Sequence, residues 1–507
     1  TGEILTMVGS GDYFDTEHDG NVNVTLSARQ PGSAIKPIMY VSAFQMGYNA
    51  ATFLSDIRTC WPSPEGEFCP TESDGKFWGP MLLRDALANS RNLPAVKMLQ
   101  LVGVQNVIDQ AHQLGITTLN EPDRYGLSLT LGGGEVKPID MAQVFSVFAT
   151  GGIKHDLISI LKVEDPKGKV LQEIKPEKIK GKRVLEEKYA YLLNNILSDN
   201  EARKRLFGSR NLLEIGRPAG VKTGTTNDNR DAWTIGYTPQ LCAAVWVGNF
   251  DNSKMAPTIQ GSTGATPIWH YFMQRALKNE PAQGWEAPKD AFVKIEVDAL
   301  SGKLPLEGKD FPRRSGIFIK GTEPTQIDDF HEVVEVCKDK GLLATDYHKE
   351  FNLTEEKVFL NLKELHSSWQ KYTDGWMAGQ EDYQKPPTEK CPITKDGEEL
   401  EAPLVKIIAP SDGEKIPNFA FDVSAHVYSS KTITKVEFYY DNVLVKTLTS
   451  IPYQTRFDLS TNEKGAHEIT VRAYDSEGEK GSDRVTVNIG EKPDISPTPT
   501  ASPTPTG

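Results

Sequence analysis

The arrangement of apolar and polar residues along the chain predicts regions of different secondary structure. Residues 1–285 mix apolar runs of helical length with shorter runs typical of strands. Residues 286–345 are strand-rich, with predicted strands at Phe292–Val297 and Gly316–Lys320. From Thr354 to Gly379 the apolar residues have helical spacing, and they are Val358, Leu360, Leu362, Leu365 and Trp369. This part of the chain is predicted to be a mixed α and β domain with a strand-rich extension and a helical segment.

Short strands with alternating apolar residues dominate the chain after residue 403. They are predicted at Val405–Ile408, Phe419–Val423, Lys435–Tyr440, Thr455–Leu459, His467–Tyr474 and Arg484–Ile489. Turn residues such as Asp441 and Asn442 separate them at the spacing of a small β-sandwich. The final segment, Ser496–Thr506, has no apolar side chain beyond Ala and Pro, so it cannot form a core and is predicted to be a disordered tail.

A chain of 507 residues is too long for one core, and about two to four domains are expected. The predicted boundaries are 1–285 for the mixed domain, 286–345 for its extension, 346–402 for the helical segment and a polar linker, 403–490 for the sandwich, and 491–507 for the tail. The chain starts at Thr1, and Gly2–Gly9 is typical of a strand already under way. We therefore expect an N-terminally truncated fragment from which any targeting segment has been removed.

Composition excludes some classes of partner. The chain has 56 basic and 69 acidic residues and a net charge of −13, whereas nucleic-acid binding depends on excess Lys and Arg. Neither end has an apolar run of the roughly 20 residues that a membrane helix needs. No nucleic-acid partner is therefore expected, and contact with a membrane is expected only through a missing N-terminal anchor.

The five cysteines predict an oxidising compartment. Cys60 and Cys69 bracket a loop, and Cys337 and Cys391 flank a polar region, so two disulfides can form, although the sequence leaves their pairing open. Cys242 lies in an apolar run and is expected to be a buried, unpaired side chain. Because no Cys-x-x-Cys pair or His cluster occurs, neither a metal nor a cofactor is expected.

The run Arg29–Pro37 contains the candidate nucleophile. Ser33 follows a Pro-Gly pair and opens a predicted helix, so Lys36, three residues later, lies on the same face and can reach the hydroxyl. Backbone N–H groups at a helix start can also stabilise negative charge on a substrate oxygen. A plain N-cap role for Ser33 is the alternative, since Ser-x-x-Lys also occurs at Ser73, Ser159 and Ser368.

Lys36 is the candidate base, because no His lies in a recognisable Ser/His/Asp context. Keeping a lysine neutral at pH 7 costs roughly 4.6 kcal/mol relative to its free pKa of about 10.4. Burial and a second cation must offset this cost, and Lys222 is the candidate for that cation.

The segment Lys222–Thr225 is the second candidate motif. It is predicted to lie on a strand, where Gly224 lets a substrate backbone approach while Lys222, Thr223 and Thr225 hold a free carboxylate. An ordinary hairpin with a polar edge is the alternative.

A third element, Ser-x-Asn, has two candidates. Ser90 and Asn92 lie at a predicted junction between a helix and a loop, which can point into a cleft. Ser198–Asn200 has the literal Ser-Asp-Asn spelling of serine acyl-transferring enzymes but ends another predicted helix. We favour Ser90 and Asn92, and the second candidate stays open.

The ordered set Arg29–Pro37, Ser90–Asn92, Leu131–Pro138 and Lys222–Trp233 resembles the transpeptidase domain of bifunctional, class A penicillin-binding proteins. The resemblance covers roughly residues 1–330. It implies an α+β fold, a penicilloyl-serine transferase domain with a central antiparallel sheet flanked by helices, followed here by an all-β sandwich similar to immunoglobulin-like or fibronectin-like modules. Class A members also carry a membrane anchor and a glycosyltransferase domain, and we expect both to be missing from this fragment.

The resemblance also implies roles. Ser33 would be acylated, Lys36 would be its base, Ser90 and Asn92 would relay a proton and contact the peptide, and Lys222, Thr223, Gly224 and Thr225 would bind the terminal carboxylate and the peptide backbone. The implied activity is serine D,D-transpeptidation of peptidoglycan stem peptides with a D-Ala-D-Ala donor and an amine acceptor, inhibited by β-lactams, on the extracytoplasmic side of the membrane. The alternatives are a D,D-carboxypeptidase or β-lactamase, and a non-catalytic β-lactam sensor or wall-binding protein whose sandwich contacts cell-wall glycan.

Overall fold

The computed structural model describes residues 1–64, 66–381, 383, 385–395, 398–459 and 464–490. It has the predicted α+β fold, with a central antiparallel sheet flanked by helices and a separate all-β sandwich. The predicted tail, 491–507, lies outside the described residues.

The helices are short to medium in length and are numbered in chain order. They are α1 Lys36–Gln45, α2 Leu83–Ala88, α3 Asn92–Val102, α4 Val104–Leu114, α5 Pro138–Ala149, α6 Glu187–Leu197, α7 Asn200–Phe207, α8 Thr266–Ala276, α9 Asp346–Glu350 and α10 Ser367–Met377.

The strands before the sandwich are β1 Phe53–Asp56, β2 Trp61–Ser63, β3 Gly66–Phe68, β4 Gly79–Leu82, β5 Ile153–Lys154, β6 Lys162–Glu164, β7 Val170–Glu173, β8 Lys182–Arg183, β9 Gly220–Thr225, β10 Asp231–Tyr237, β11 Cys242–Gly248, β12 Phe292–Asp298, β13 Arg313–Ile319, β14 His331–Cys337 and β15 Thr354–Leu360. The remaining strands are β16 Thr394–Lys395, β17 Glu398–Glu399, β18 Leu404–Ala409, β19 Lys415–Ile416, β20 Ala420–Tyr428, β21 Ile433–Tyr440, β22 Val443–Leu448, β23 Gln454–Asp458, β24 Gly465–Asp475 and β25 Lys480–Ile489.

The chain forms two compact units. The N-terminal unit contains Thr1–His331 and residues 360–383, and the C-terminal unit contains Glu332–Phe359 and the described residues after 384. The polypeptide therefore leaves the N-terminal unit after β13 and returns to it for α10.

The core of the N-terminal unit surrounds α1. Every side chain from Lys36 to Phe44 is buried, and α1 packs against α3, α4 and α6. Pro37 is tolerated because the first turn of a helix leaves its backbone N–H groups without intrahelical partners. The sheet has the antiparallel order β11-β10-β9, with the fully buried β10 in the centre. Helices α5 and α8 pack on this sheet, and β9, at its edge, faces the turn that precedes α1.

The C-terminal unit contains the predicted sandwich. A three-stranded sheet, β18-β20-β23, faces a five-stranded sheet, β19-β25-β24-β21-β22. Their inner side chains form one apolar core, which includes Val423, Phe438, Phe457 and Val471. The six strands predicted after residue 403 are present, whereas β19 and β22 were not predicted.

Two sequence predictions of secondary structure are wrong. Residues 354–379 were predicted to be helical, but only α10 within this range is a helix, because Thr354–Leu360 forms the strand β15. Val358, Leu360 and Leu362 are two residues apart, which is the period of a strand, and this spacing competed with the helical one. Gly2–Gly9 is not a strand either, because Glu3 forms only an isolated bridge to Ile158 and no neighbouring strand covers this segment.

The predicted polar linker is partly fixed in place. Cys391 is bonded to Cys337, and Leu343 forms a bridge with Lys390. The second disulfide joins Cys60 to Cys69 across the open end of the β2-β3 hairpin. Cys242 is unpaired, as expected. None of the helices among the described residues has the length and apolar character needed to cross a bilayer.

The two disulfides are expected to stabilise different units, because each closes a loop within one of them. The separations of 9 and 54 residues correspond to about 3 and about 4 kcal/mol of unfolded-state entropy. Replacing Cys337 and Cys391 by Ser should lower the unfolding free energy of the C-terminal unit alone, and replacing Cys60 and Cys69 by Ser should lower that of the N-terminal unit alone. Calorimetry of each variant beside Cys242→Ser measures this. A common shift of both transitions would contradict the assignment.

Candidate active site

Ser33 lies on a tight turn between the first loop and α1. Gly32–Ile35 is a 3-10 turn, and Ser33 is half-buried whereas both of its neighbours are buried. Gly32 has a φ of +54°, and a Cβ at this position would lie 2.5 Å from the carbonyl oxygen of Thr225. The Ser33 turn therefore packs directly against the backbone of β9.

Gly224 of β9 also lies in close contact with this turn. A Cβ on Gly224 would lie 2.2 Å from the carbonyl oxygen of Pro31, so only glycine fits. The Trp233 indole N–H donates to the carbonyl of Gln30 at 2.8 Å and fixes the loop before the turn. The predicted serine motif and the predicted strand motif therefore share one crevice.

The N–H group of Thr225 points toward this crevice. Thr225 pairs with Ala232, and the next residue, Thr226, donates its N–H to Asp231 at 3.1 Å. Because hydrogen-bonded and non-hydrogen-bonded pairs alternate in an antiparallel ladder, the N–H of Thr225 faces away from β10 and toward the Ser33 turn.

Lys36 is completely buried and is surrounded by oxygen acceptors from one short loop. Its amine donates to the carbonyl oxygens of Ser90 at 2.6 Å and Arg91 at 3.0 Å, and to the Asn92 side-chain oxygen at 2.7 Å. The loop that connects α2 to α3 therefore forms the wall opposite Ser33. Among the described residues, Ser33 Oγ makes no hydrogen bond.

Burial lowers the pKa of Lys36 to about 7. The Glu72 and Asp56 carboxylates nearby oppose this change, and the Arg91 guanidinium adds to it. The sequence favours Lys222 as the second cation that lowers the pKa of Lys36, but in the structure Arg91 has this effect. The pKa of Lys222 is itself lowered, first by burial and then by repulsion from Lys36.

Ser90 connects the two lysines. It has a φ of +56°, a conformation that costs a non-glycine residue about 1 kcal/mol or more. In this conformation its carbonyl accepts from Lys36, while its hydroxyl accepts from the Lys222 amine at 2.6 Å. Lys222 also donates to the Thr223 carbonyl at 2.9 Å, and burial, Lys36 and Arg203 all lower its pKa.

The predicted residues therefore form one connected set. Ser90, Asn92 and Lys222 are linked to Lys36 by the hydrogen bonds above, and Gly224 and Thr225 lie against the Ser33 turn. The alternative Ser-Asp-Asn candidate lies elsewhere, since Ser198 and Asp199 serve the ends of α6 and α7. Ser198 donates to the Asn194 carbonyl at 2.7 Å, and Asp199 caps α7 by accepting from Ala202.

Some residues of the site carry no sequence signal that points to it. Glu72 and Asp56 are buried carboxylates that become neighbours of Lys36 only through folding. Gly132 belongs to the Leu131–Pro138 motif, and a Cβ there would lie 2.3 Å from the backbone nitrogen of Gly32. That motif could have been placed beside the serine only by its resemblance to a family, because its spacing predicts no contact.

A cavity of about 320 Å³ opens beside Thr226, the residue that follows β9. Its lining includes Arg29, Gln30, Ser128, Gly132, Glu135 and Asp231. Its volume lies within the range of small-molecule binding pockets.

Groups of possible metal ligands lie outside this crevice. Among the described residues they are Cys337 and Cys391 with Asp339 and His348, Cys60 and Cys69 with Glu67, and Asp298, Asp328 and His331. The first two groups depend on disulfide-bonded sulfurs. In the third, His331 Nδ1 is hydrogen-bonded to Asp328 at 2.7 Å.

Three family models match the chain. Residues 1–274 match the penicillin-binding protein transpeptidase domain, residues 288–333 match the C-terminal domain of penicillin-binding protein 1A, and residues 403–471 match a bacterial Ig domain.

Curated relatives and a solved structure agree with these matches. Penicillin-binding protein 1A of Neisseria lactamica is 34% identical over 298 residues, 57% of this chain and 36% of the relative. Penicillin-binding protein 2D of Bacillus subtilis is 31% identical over 348 residues, 67% of this chain and 48% of the relative. The chain thus spans about a third to a half of these relatives. Penicillin-binding protein 1A of Haemophilus influenzae superimposes with a TM-score of 0.54 at 27% identity, over 62% of this chain and 51% of that one.

Gly224→Ala should separate β9 from the Ser33 turn, since the added methyl would meet the Pro31 carbonyl at 2.2 Å. A loss of about 2 kcal/mol or more in the unfolding free energy of the N-terminal unit is expected. Gly375→Ala is the matched control, because Gly375 lies within α10 with no atom within 4 Å of its added Cβ, so that change should be neutral or slightly stabilising. Urea denaturation of both variants measures the difference, and equal stabilities would argue against the close contact.

Proposed function

Because the chain belongs to the penicillin-binding protein transpeptidase family, we propose that it is a serine D,D-transpeptidase that cross-links peptidoglycan stem peptides. The observation that carries this proposal is the buried amine of Lys36, held with Asn92 and with the Ser90–Lys222 pair in the crevice that contains Ser33. The same residues would react with β-lactams, which combine a strained amide with a carboxylate.

The first step is acylation of Ser33. The uncharged Lys36 amine accepts the proton of the Ser33 hydroxyl, and Oγ bonds to the carbonyl carbon of the D-Ala-D-Ala peptide bond. Lys36 gives up one of its three present oxygen contacts to make this approach. The negative charge on the substrate oxygen is stabilised by the N–H groups of Ser33 and Thr225, and each such donor is worth about 2.7 to 4 kcal/mol.

The second step releases D-Ala and passes on the acyl group. The C–N bond of the tetrahedral intermediate breaks, Ser90 Oγ delivers a proton to the leaving nitrogen, and the hydrogen-bonded Lys222 amine replaces that proton. The proton that Lys36 took from Ser33 then restores the charge of Lys222, which leaves Lys36 uncharged. An amine from a neighbouring stem peptide attacks the acyl carbon and loses its proton to Lys36. The bond between the acyl carbon and Ser33 Oγ breaks, and Lys36 returns this proton to Oγ, which regenerates Ser33.

The strand β9 holds the terminal carboxylate of the donor peptide. Thr225 Oγ1 already accepts from the N–H of Gly261 at 2.9 Å, so its own hydroxyl proton remains available for a carboxylate oxygen. Lys222 and Thr223 complete the binding site. A bound carboxylate also supplies the negative charge that the buried Lys222 lacks, which favours its protonated form.

If water and not an amine accepted the acyl group from Ser33, the protein would be a D,D-carboxypeptidase or β-lactamase. Some carboxypeptidase activity is compatible with this site. Glu72 is the buried carboxylate to consider as a base that activates water for deacylation. Its oxygens, however, already accept from the backbone N–H groups of Asn92 and Leu93. Its engagement favours transfer to an amine and a long-lived β-lactam adduct. The complete set of reactive side chains disfavours a non-catalytic sensor.

The longer relatives suggest further properties of the whole protein. We propose that it lies in the cell envelope on the extracytoplasmic side, is anchored to the plasma membrane, and also carries a peptidoglycan glycosyltransferase domain. Binding of the C-terminal sandwich to cell-wall glycan is a second proposal, and a spacer role for the sandwich is the alternative. The domain boundaries predicted from the sequence remain predictions as well.

Incubation with benzylpenicillin should add one penicilloyl group to the protein at Ser33, because the crevice presents the nucleophile, the base and the carboxylate site together. Intact-mass measurement and peptide mapping detect the adduct. Ser33→Ala should abolish it, whereas Ser368→Ala, at a Ser-x-x-Lys pair on α10, should leave it unchanged. An undiminished adduct on Ser33→Ala would overturn the assignment.

The rate of acylation should rise with pH and level off above a midpoint near 7. The pKa of Lys36 is lowered to about 7, and only its uncharged form, which predominates above that pH, can accept the serine proton. Stopped-flow measurement of the acylation rate constant between pH 5 and about 9 gives the midpoint. A rate that falls as the pH rises through 7 would contradict Lys36 as the base.

A further inference from the structure

A buried cluster of charges lies directly behind the Ser90–Asn92 loop. The Arg91 guanidinium is completely buried and bonds to Asp56 at 2.8 Å and to Asp74 at 3.0 Å, with Glu72 at 3.4 Å. It also donates to the Lys76 carbonyl. The side chain of Arg91 therefore points away from the reactive crevice, while its backbone carbonyl accepts from Lys36.

Glu72 makes the contacts that matter most for this loop. One of its oxygens accepts from the backbone N–H groups of Asn92 and Leu93, both at 2.7 Å, and the other accepts from Asn92 at 2.8 Å. The preceding carbonyl, of Thr71, accepts from the Asn92 side-chain amide at 2.7 Å. Two successive residues thus hold both the backbone and the side chain of Asn92.

This pair of contacts fixes which atom of Asn92 faces the lysine. Because the Asn92 amide nitrogen is bound to the Thr71 carbonyl, its oxygen is left to accept from Lys36. Glu72 binds the first backbone N–H groups of α3, so the start of that helix cannot shift without breaking a buried, charge-assisted hydrogen bond.

The segment before Glu72 is itself held in place by a disulfide and by packing. Glu72 follows the β2-β3 hairpin, whose ends are joined by the Cys60–Cys69 disulfide. Trp61 at the start of the hairpin packs with Leu93 and Val96 of α3 in one apolar cluster. The hairpin and α3 are therefore packed together, and Thr71 and Glu72, in the segment after the hairpin, form polar contacts to the start of α3.

We propose that Glu72 is a positioning residue for the reaction at Ser33, in that it holds the Asn92 amide oxygen and the adjacent carbonyls against the Lys36 amine. The inference rests on the proposed function. It assigns a role in the reaction to a carboxylate that touches neither the nucleophile nor the base.

Charge gives Glu72 a second effect on the same amine. Glu72 is the largest of the charges that raise the pKa of Lys36, Asp56 acts in the same direction, and Arg91 acts against them. Lys222 is a further cation near Lys36, and its own pKa is lowered first by burial and then by repulsion from Lys36. The pKa of Asp56 is raised to about 7, first by burial and then by Glu72, so Asp56 becomes more ionised when the Glu72 charge is removed. This response acts against the loss of the Glu72 charge.

The test compares Glu72→Gln and Glu72→Ala with the wild-type protein. The acylation rate constant of the folded protein with a fluorescent penicillin should fall on the order of 10- to 100-fold, since a small displacement of a reacting group costs this much. The titration midpoint of Lys36, followed by NMR of the 13C-labelled lysine Cε and assigned with Lys36→Arg, should move to lower pH by about 0.5 unit or more in Glu72→Gln.

Asp74→Asn is the matched control, because Asp74 bonds to the same guanidinium from its more exposed side without contacting Asn92. It should lower stability while leaving the Lys36 midpoint and the acylation rate close to the wild-type values. If Glu72→Ala does not fold, Glu72→Gln, which keeps the side-chain shape, decides the question.

Two outcomes would overturn the proposal. One is a Glu72→Gln protein that is less stable but retains the wild-type acylation rate and Lys36 midpoint, which would make Glu72 a helix cap only. The other is an equal change in Asp74→Asn, which would assign the effect to Arg91. The lysine titration requires no substrate, so a wild-type protein that penicillin does not acylate would refute the proposed function while the midpoints still decide the role of Glu72.

Discussion

The burial of the Lys36 amine is the constraint on which the rest of the site depends. A lysine in water holds its proton at neutral pH, and removal from solvent is the main cause that lowers the pKa of Lys36 to about 7. Such burial requires a fully enclosed helix, and α1 is buried along almost its whole length. It also requires polar partners for the amine, and the Ser90–Asn92 loop provides three oxygen acceptors. The core of the N-terminal unit and the chemistry of its crevice are thus parts of one arrangement.

Contacts between backbone segments fix the width of the crevice more rigidly than contacts between side chains would. Gly32, Gly132 and Gly224 meet where any Cβ would lie 2.2 to 2.5 Å from a backbone atom of a neighbouring segment. The Ser33 turn is therefore held between β9 and the loop before α5 without flexible groups between them. In the proposed mechanism this closeness brings the N–H of Thr225 to the substrate oxygen, and preorganised donors of this kind lose no free energy to reorganisation during the reaction.

Residues whose chemistry depends on their type and spacing could be proposed from the sequence. The three-residue spacing of Ser33 and Lys36 and the strand pattern of Lys222–Thr225 were enough for local rules to propose them. The choice of Ser90 over Ser198 followed from the same local reasoning and agrees with the contacts to Lys222. Glu72 and Asp56 could not be found in this way, because only long-range packing brings them behind the loop. The strand Thr354–Leu360 was missed because its apolar residues fit both a helical and an extended period.

The two buried lysines also explain why an anionic substrate suits this crevice in a chain whose net charge is −13. Lys36 lies near the carboxylates of Glu72 and Asp56, whereas the groups that act on Lys222 are burial and the cations Lys36 and Arg203. A carboxylate bound by Thr223 and Thr225 would add a negative charge beside Lys222 and so raise its pKa. In the proposed mechanism, substrate binding therefore leaves Lys222 charged, Lys36 as the base, and Ser90 between them to carry a proton.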